Sequence, residues 1–137
     1  MYSIYYMKSS SYRFVYFLLI VLLILGIVYY IYNYTFNSPW LVSGEVAKML
    51  VKNNKIDVIL DVRTDLERKT LGFYPSSVHI QSGDLETLMV KMYPNKSNFI
   101  LVYCNSGQRA RNATDKLHKM GYNNTVYIAS GYKSLSD

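Results

Sequence analysis

Residues 14–32 read FVYFLLIVLLILGIVYYIY, nineteen positions in a row without a charged side chain. No other segment restricts the fold as strongly. At 1.5 Å rise per residue, a helix of that length is about 28 Å long, close to the roughly 30 Å hydrocarbon core of a bilayer. A helix also satisfies its backbone amides internally, which lipid demands. Tyr12 and Tyr16 stand at one end, Tyr29, Tyr30, Tyr32 and Tyr34 at the other, and Trp40 follows. Such amphipathic rings concentrate at membrane–water interfaces. Two other readings are weaker. A buried helix of a soluble protein is rarely apolar on every face. A cleaved signal peptide has a shorter apolar run and a small-x-small cleavage pattern, and no such pattern follows Tyr32. The run is therefore expected to be one uncleaved transmembrane signal anchor. A short tail (1–13) precedes it, and a linker (33–42) and a domain (43–137) follow.

Lys8 and Arg13 flank one end of the run, whereas the other end meets no charge until Glu45. The positive-inside rule then leaves the N-terminus of this single-pass chain cytoplasmic and the domain on the opposite side. Lys48, Lys52 and Lys55 weigh against that orientation. Four Asn-x-Ser/Thr triplets, at Asn33, Asn95, Asn112 and Asn123, carry no weight in a chain so rich in Asn and Ser.

The net charge of +6 divides as +2 before residue 43 and +4 after it. Neither a dense Lys/Arg block nor an arginine–aromatic stripe is present, so nucleic acid is not an expected partner. A mildly basic surface is compatible with an acidic membrane or a small anion, although solvated charge is the simpler reading. Cys104 is the single cysteine. That excludes an internal disulfide and a multi-thiolate zinc site. His79 and His118 make no metal cluster, and neither metal nor cofactor is expected.

From Ser43 onward, helical and strand periods alternate. Ser43 is placed to cap a helix with Glu45 in its first turn and Val46, Met49 and Leu50 on its apolar face. Residues 55–61 (KIDVILD) form a β-branched run that reads as a buried strand, and residues 78–80 a shorter one. Ser82-Gly83-Asp84 opens a helix with Leu85, Leu88, Met89 and Met92 on one side. Residues 98–103 (NFILVY) are the most hydrophobic strand and stop at Cys104. Residues 109–120 read as a helix with Ala110, Ala113 and Leu117 inward, ended by Gly121. A last strand covers 125–129. This order predicts an α/β domain, a central parallel sheet flanked by helices. Ligands of such sheets bind beyond the carboxyl ends of the strands, where Asp61 and Cys104 both fall.

After Cys104 come Asn105, Ser106, Gly107, Gln108, Arg109 and Ala110, a short polar turn leading into a helix. The N–H groups of such a turn, together with the positive end of the helix dipole, form a cradle that stabilises a thiolate. Arg109 and Arg111 add positive charge, and Gly107 permits a backbone angle closed to other residues. A cysteine after a buried strand is often only a small core residue. Here the glycine turn, the two arginines and the helix start favour a nucleophile.

These residues resemble a known family. From Ile56 onward, over roughly 80 residues, the chain is similar to single-domain rhodaneses of the thiosulfate sulfurtransferase type. Asp61-Val62-Arg63 with Glu67, Gly72 and Pro75, and Val78-His79-Ile80 follow the family's early segments. Val102-Tyr103-Cys104, Ser106-Gly107, Arg109-Ala110, Leu117 and Gly121-Tyr122 match its active loop and helix, and Ser130-Gly131-Tyr132 its terminal turn. The resemblance implies a sulfurtransferase in which the Cys104 thiolate takes sulfane sulfur from a thiosulfate-like anion. The resulting persulfide, held by the N–H groups of residues 105–110, passes its sulfur to a thiol or cyanide-like acceptor. Arg109 is implied to hold the loop or the anionic donor, and Asp61, Arg63 and Glu67 to order the neighbouring chain. Phosphatases of the same fold place five residues between cysteine and arginine; here four separate Cys104 from Arg109, Ala110 takes the next position, and Arg111 comes one later. The smaller ring suits sulfur better than phosphate.

Some positions depart from the family pattern. Phe73 and Tyr74 stand where His and Ile are usual, Ser76-Ser77 replace Gly-Ala, Ser130 replaces a glycine, and Leu135 a tryptophan. The final helix is expected to be short. These changes put the rim in question and leave the loop intact. The alternative functions are a catalytically weak interaction module and a redox sensor, the latter needing a partner thiol because no second cysteine exists. The oligomeric state is not readable from the sequence.

Overall fold

The computed structural model describes residues 2–136, with side chains placed for 12–34 and 37–136. The chain divides into two compact units, Met1–Ser38 and Pro39–Asp137. The first is one helix, α1 (Tyr2–Phe36). Within its stretch Tyr12–Tyr34 an 18-residue window reaches a mean hydropathy of 2.8, and the stretch is long and apolar enough to cross a membrane, by length and composition. Residues 2–13 of the expected tail and the front of the expected linker are thus helical. No Pro or Gly interrupts residues 2–13, and Pro39 disfavours helix at the residue before it. The side chain of Lys8, on which the orientation partly rests, lies outside the described residues.

The second unit carries β1 (Leu41–Val42), α2 (Gly44–Lys52), β2 (Val58–Asp61), α3 (Asp65–Leu71), β3 (Val78–His79), α4 (Leu85–Met92), β4 (Ile100–Tyr103), α5 (Gln108–Lys119), β5 (Thr125–Ile128) and a closing 3-10 turn, Tyr132–Leu135. The strands form one sheet in the order β1-β5-β4-β2-β3, and every pairing is parallel. The expected α/β class and parallel sheet are borne out. β1 corrects the linker reading: Leu41 and Val42 pair with Tyr127 and Ile128 at the sheet edge. Two residues paired to a strand far along the chain leave no local periodicity to read.

Each central strand feeds both faces, as the period of two requires. Leu60, Ile100, Val102 and Cys104 point into a core shared with Leu85 and Met89 of α4 and Ala110, Ala113 and Leu117 of α5. Ile59, Leu101, Tyr103 and Ile128 point the other way, against Ala47 of α2 and Leu135 of the closing turn. Leu60, Ile100 and Leu101 have no exposed surface, and each such burial stabilises the fold by about 1.5–3 kcal/mol. Leu135, where a tryptophan is usual, is buried all the same. α2 begins as its sequence suggests, with Ser43 Oγ accepting from Val46 N.

A second element missed from sequence is α3, which buries no side chain and so shows no apolar stripe. Its start is nevertheless written in Thr64-Asp65-Leu66-Glu67: Thr64 Oγ1 accepts from Glu67 N, and a Glu67 oxygen accepts from Thr64 N, a capping box.

Candidate active site

The chain leaves β2 towards β3 on one side of the sheet and leaves β4 towards β5 on the other. The crevice of such a sheet therefore lies between the carboxyl ends of β2 and β4. Asp61 ends β2 opposite Tyr103, the last residue of β4, and Cys104 comes next. Asp61, Arg63, Glu67 and Cys104 are thereby gathered at one rim.

Cys104 is 1% exposed. Its Sγ accepts a hydrogen bond from Gly107 N at 3.1 Å, directly ahead of the twelve-residue α5. Gly107 has φ of 90° and serves as the N-cap of α5. A Cβ there would lie 2.7 Å from Ala129 Cα, so both the backbone angle and the space require glycine. The sulfur thus meets an N–H group and the positive end of a helix dipole. Asn105, Ser106 and Gln108 are exposed, whereas Ala110 is buried under the sheet.

α3 holds the loop from outside. Both Glu67 oxygens take the Arg109 guanidinium at 2.6 Å, and Oε1 also accepts from Asn105 Nδ2 at 2.6 Å. The paired Arg109 guanidinium holds the Glu67 carboxyl at a pKa of about 2, with the Thr64 hydrogen bonds acting in the same direction against some desolvation. Arg109, at the start of α5, is thus tied to α3 through both terminal nitrogens. Arg109 also borders a hollow of about 220 Å³ with Ser82, Asn112 and Lys116. Arg111 lies in the first turn of α5 and is partly buried.

Beneath the loop lies a buried charge network. Arg63 grips Asp61 through Nε at 2.9 Å and Nη2 at 2.7 Å, donates to the Gly72 carbonyl, and reaches Asn105 Oδ1 at 3.4 Å. Its guanidinium lies 5.3 Å from the centroid of the Tyr103 ring and 5.4 Å from that of Tyr132. Burial drives the Asp61 pKa up, but hydrogen bonds from Arg63 and Tyr103 and the charge of Arg63 outweigh it, and the net shift is downward.

Tyr103, Arg68 and Ser77 belong to this network, and sequence reasoning assigned them no role. Tyr103 Oη donates to Asp61 Oδ2 at 2.8 Å, and burial raises its phenol pKa. Arg68 donates to Asp61 and to both Ser77 oxygens, with its guanidinium 3.8 Å above the Phe73 ring. Two departures from the family pattern, Phe73 and Ser77, are thus partners of one arginine. The available signal was their position, between the α3 charges and the second strand.

Residues 43–137 match the family model described as Rhodanese-like domain. A Mus musculus protein, "Thiosulfate sulfurtransferase/rhodanese-like domain-containing protein 3", is 28% identical over 108 residues, which cover 71% of this chain and 68% of the mouse protein. Among solved structures, a human single-domain sulfurtransferase superposes with a TM-score of 0.60 at 21% identity, covering 71% of this chain and 95% of the human one. A Rhodopseudomonas palustris protein of unknown function, described as a possible tyrosine phosphatase, gives 0.60 at 25% identity, covering 68% of this chain and 76% of its own. With the strand order, the loop and the matched residues in agreement, the chain belongs to the rhodanese-like domain family.

Proposed function

We propose that this chain is a membrane-anchored sulfurtransferase carrying a persulfide on Cys104. The observation that supports this most directly is the Gly107 N–H on Cys104 Sγ at the start of α5. That site suits a sulfur atom bearing negative charge. In the first step the Cys104 thiolate attacks the outer sulfur of a thiosulfate-like donor. The new S–S bond forms as the donor's S–S bond breaks, and sulfite leaves with the electron pair. In the second step a thiol or cyanide-like acceptor attacks the outer sulfur of the persulfide, and the Cys104 thiolate is regenerated. No oxidant is needed. The outer sulfur stands about 2.05 Å beyond Sγ, which brings the reacting atom out of a position where Sγ itself is covered. The family membership and the names of the mouse and human relatives support the reaction class.

The phosphatase alternative is disfavoured by the loop. It is one residue too short, and Arg109 is already engaged by Glu67. The low exposure of Cys104 favours a small anionic donor over a protein disulfide, which argues against the redox-sensor reading. α1 is the proposed anchor, with the N-terminus cytoplasmic and the domain across the membrane. Protease protection of the domain in sealed vesicles tests this; digestion from the cytoplasmic side overturns the orientation.

The test of the chemistry is intact mass spectrometry of the full chain in detergent after incubation with thiosulfate. One added sulfur atom is expected, and none in Cys104→Ser. A folded wild-type chain that gains no sulfur overturns the proposal and favours a binding module.

A further inference from the structure

The two ends of the sheet differ sharply in charge. Cys104 lies at the carboxyl end, among mixed charges. The opposite end is built from the segments leading into β1, β2, β4 and β5 and from the last residues of α2, α4 and α5. These segments are tied to one another: Asp57 Oδ2 accepts from Phe99 N, Asn124 Nδ2 donates to the Ser97 carbonyl, and Lys96 Nζ donates to the Met120 carbonyl at 2.6 Å. Exposed at this end are Lys52, Lys55, Lys96 and Lys119. Of the nine acidic residues in the chain, only Asp57 lies in the segments before these strands, where its Oδ2 accepts from Phe99 N, so the four lysines outnumber the acidic side chains at this end.

The same end carries aromatic surface. Trp40 stacks on the His118 ring with centroids 3.9 Å apart, and its carbonyl accepts from Tyr127 N. Trp40 and Phe99, with Asn123, Asn124 and Val126, line an open hollow of about 220 Å³. Lysines around half-buried aromatic rings are the composition that a lipid headgroup layer attracts. Chain connectivity points to the same partner. The candidate span ends at Tyr34 and the globular unit begins at Pro39. The four intervening residues reach at most roughly 14 Å.

We infer that this amino-terminal rim docks on an acidic phospholipid surface, so that the Cys104 loop, at the other end of the sheet, faces away from the bilayer. The inference rests on the reading of α1 as a membrane anchor and is independent of the orientation proposed above, since it requires only acidic lipid in the leaflet that the domain faces. It bears on the acceptor, which would approach from the aqueous side rather than from within the lipid.

Trp40 is the sole tryptophan, so its fluorescence reports on this rim without labelling. The full chain is reconstituted into phosphatidylcholine vesicles with or without phosphatidylserine, each containing a headgroup-attached quencher. Stronger Trp40 quenching is expected with phosphatidylserine. The excess should vanish in 1 M salt, where the Debye length falls to about 3 Å, and in a Lys52→Glu/Lys55→Glu/Lys119→Glu variant that still acquires sulfur on Cys104. Carbonate washing and flotation separate the two readings. A chain washed off the vesicles overturns the anchor and the docking together. A chain that stays, with equal quenching in both lipids and no effect of salt or of the variant, overturns the docking alone.

Discussion

Glu67 grips Arg109 with both carboxylate oxygens at 2.6 Å, and through Oε1 it also accepts from Asn105. The first turn of α3 is thereby fastened to both ends of the polar turn that follows Cys104. A short helix without a buried side chain thus keeps its place through charge, and it orders the loop in return. Glu67→Gln should loosen both contacts. The pair is partly exposed, so the stability loss is expected to be about 1 kcal/mol. The rate of sulfur loading should fall about tenfold if loop order contributes about 1.4 kcal/mol to the transition state. Urea unfolding and thiosulfate kinetics on the same preparations check the split. A variant that loses stability but keeps full rate shows that the clamp is only structural.

The same pair sets a pH dependence. The Glu67 carboxyl titrates at about 2 in the folded chain, below its ordinary 4.5. A depressed carboxyl contributes stability that is complete above the unfolded value and disappears as pH falls through the folded one. The stability difference between wild type and Glu67→Gln should therefore be level above about pH 5 and shrink towards pH 2. Denaturant titrations at stepped pH measure it. A difference that persists undiminished at pH 2 contradicts the ion-pair account.

The parts of the fold legible in sequence were those whose signals are local. β2 and β4 are β-branched runs, and their ends place Asp61 and Cys104 on one rim without reference to tertiary contacts. β1 was not legible, because Leu41 and Val42 become a strand only by pairing with Tyr127 and Ile128. α3 lacks the apolar period that marks a helix, and its capping box was the only trace. The site divides in the same way. Cys104 and Gly107 are read from a continuous turn, whereas the Arg68–Ser77 contact joins α3 to the turn before β3. Ser77 stands where alanine is usual, and its hydroxyl is absorbed by Arg68 and by the Tyr74 carbonyl at 2.6 Å. A departure that looked like a defect in sequence is a hydrogen-bond junction in the structure.

That junction is open to test. Ser77 Oγ also lies 3.0 Å from the Tyr103 hydroxyl, and Ser77 is only 8% exposed. Ser77→Ala removes a partner of Arg68 and should cost about 1–3 kcal/mol, the range for leaving a buried polar group unsatisfied. Denaturant unfolding measures this loss, and a change below a few tenths of a kcal/mol would mean that Arg68 finds another acceptor.

Asp61 presents a larger case. Its carboxylate is fully buried and is shared by Arg63, Arg68 and Tyr103. Asp61→Ala strands the Arg63 guanidinium, itself 1% exposed, and should cost about 3–5 kcal/mol. Arg63→Met in the same background removes the stranded charge and should recover part of that loss. A double-mutant cycle by urea unfolding gives the coupling. Additive single losses would show that the pair does not act as a unit.

Gly107 connects stability with chemistry most tightly. Any Cβ at this position meets Ala129 Cα at 2.7 Å, and the contact is with backbone, so no rotamer change relieves it. A left-handed backbone angle on alanine adds about 1–2 kcal/mol. Gly107→Ala is therefore expected either to push the turn away from the end of β5 or to reverse its backbone angle. Both outcomes displace the N–H that reaches Cys104 Sγ. The variant should unfold at lower denaturant and fail to retain sulfur after thiosulfate treatment, whereas alkylation of Cys104 under denaturing conditions should remain complete. Ser106→Ala, one residue earlier on the exposed side of the turn, serves as the control and should load sulfur at nearly the wild-type rate. If Gly107→Ala folds and carries sulfur as well as that control, the cradle does not hold the persulfide, and the anion must be stabilised elsewhere on the rim.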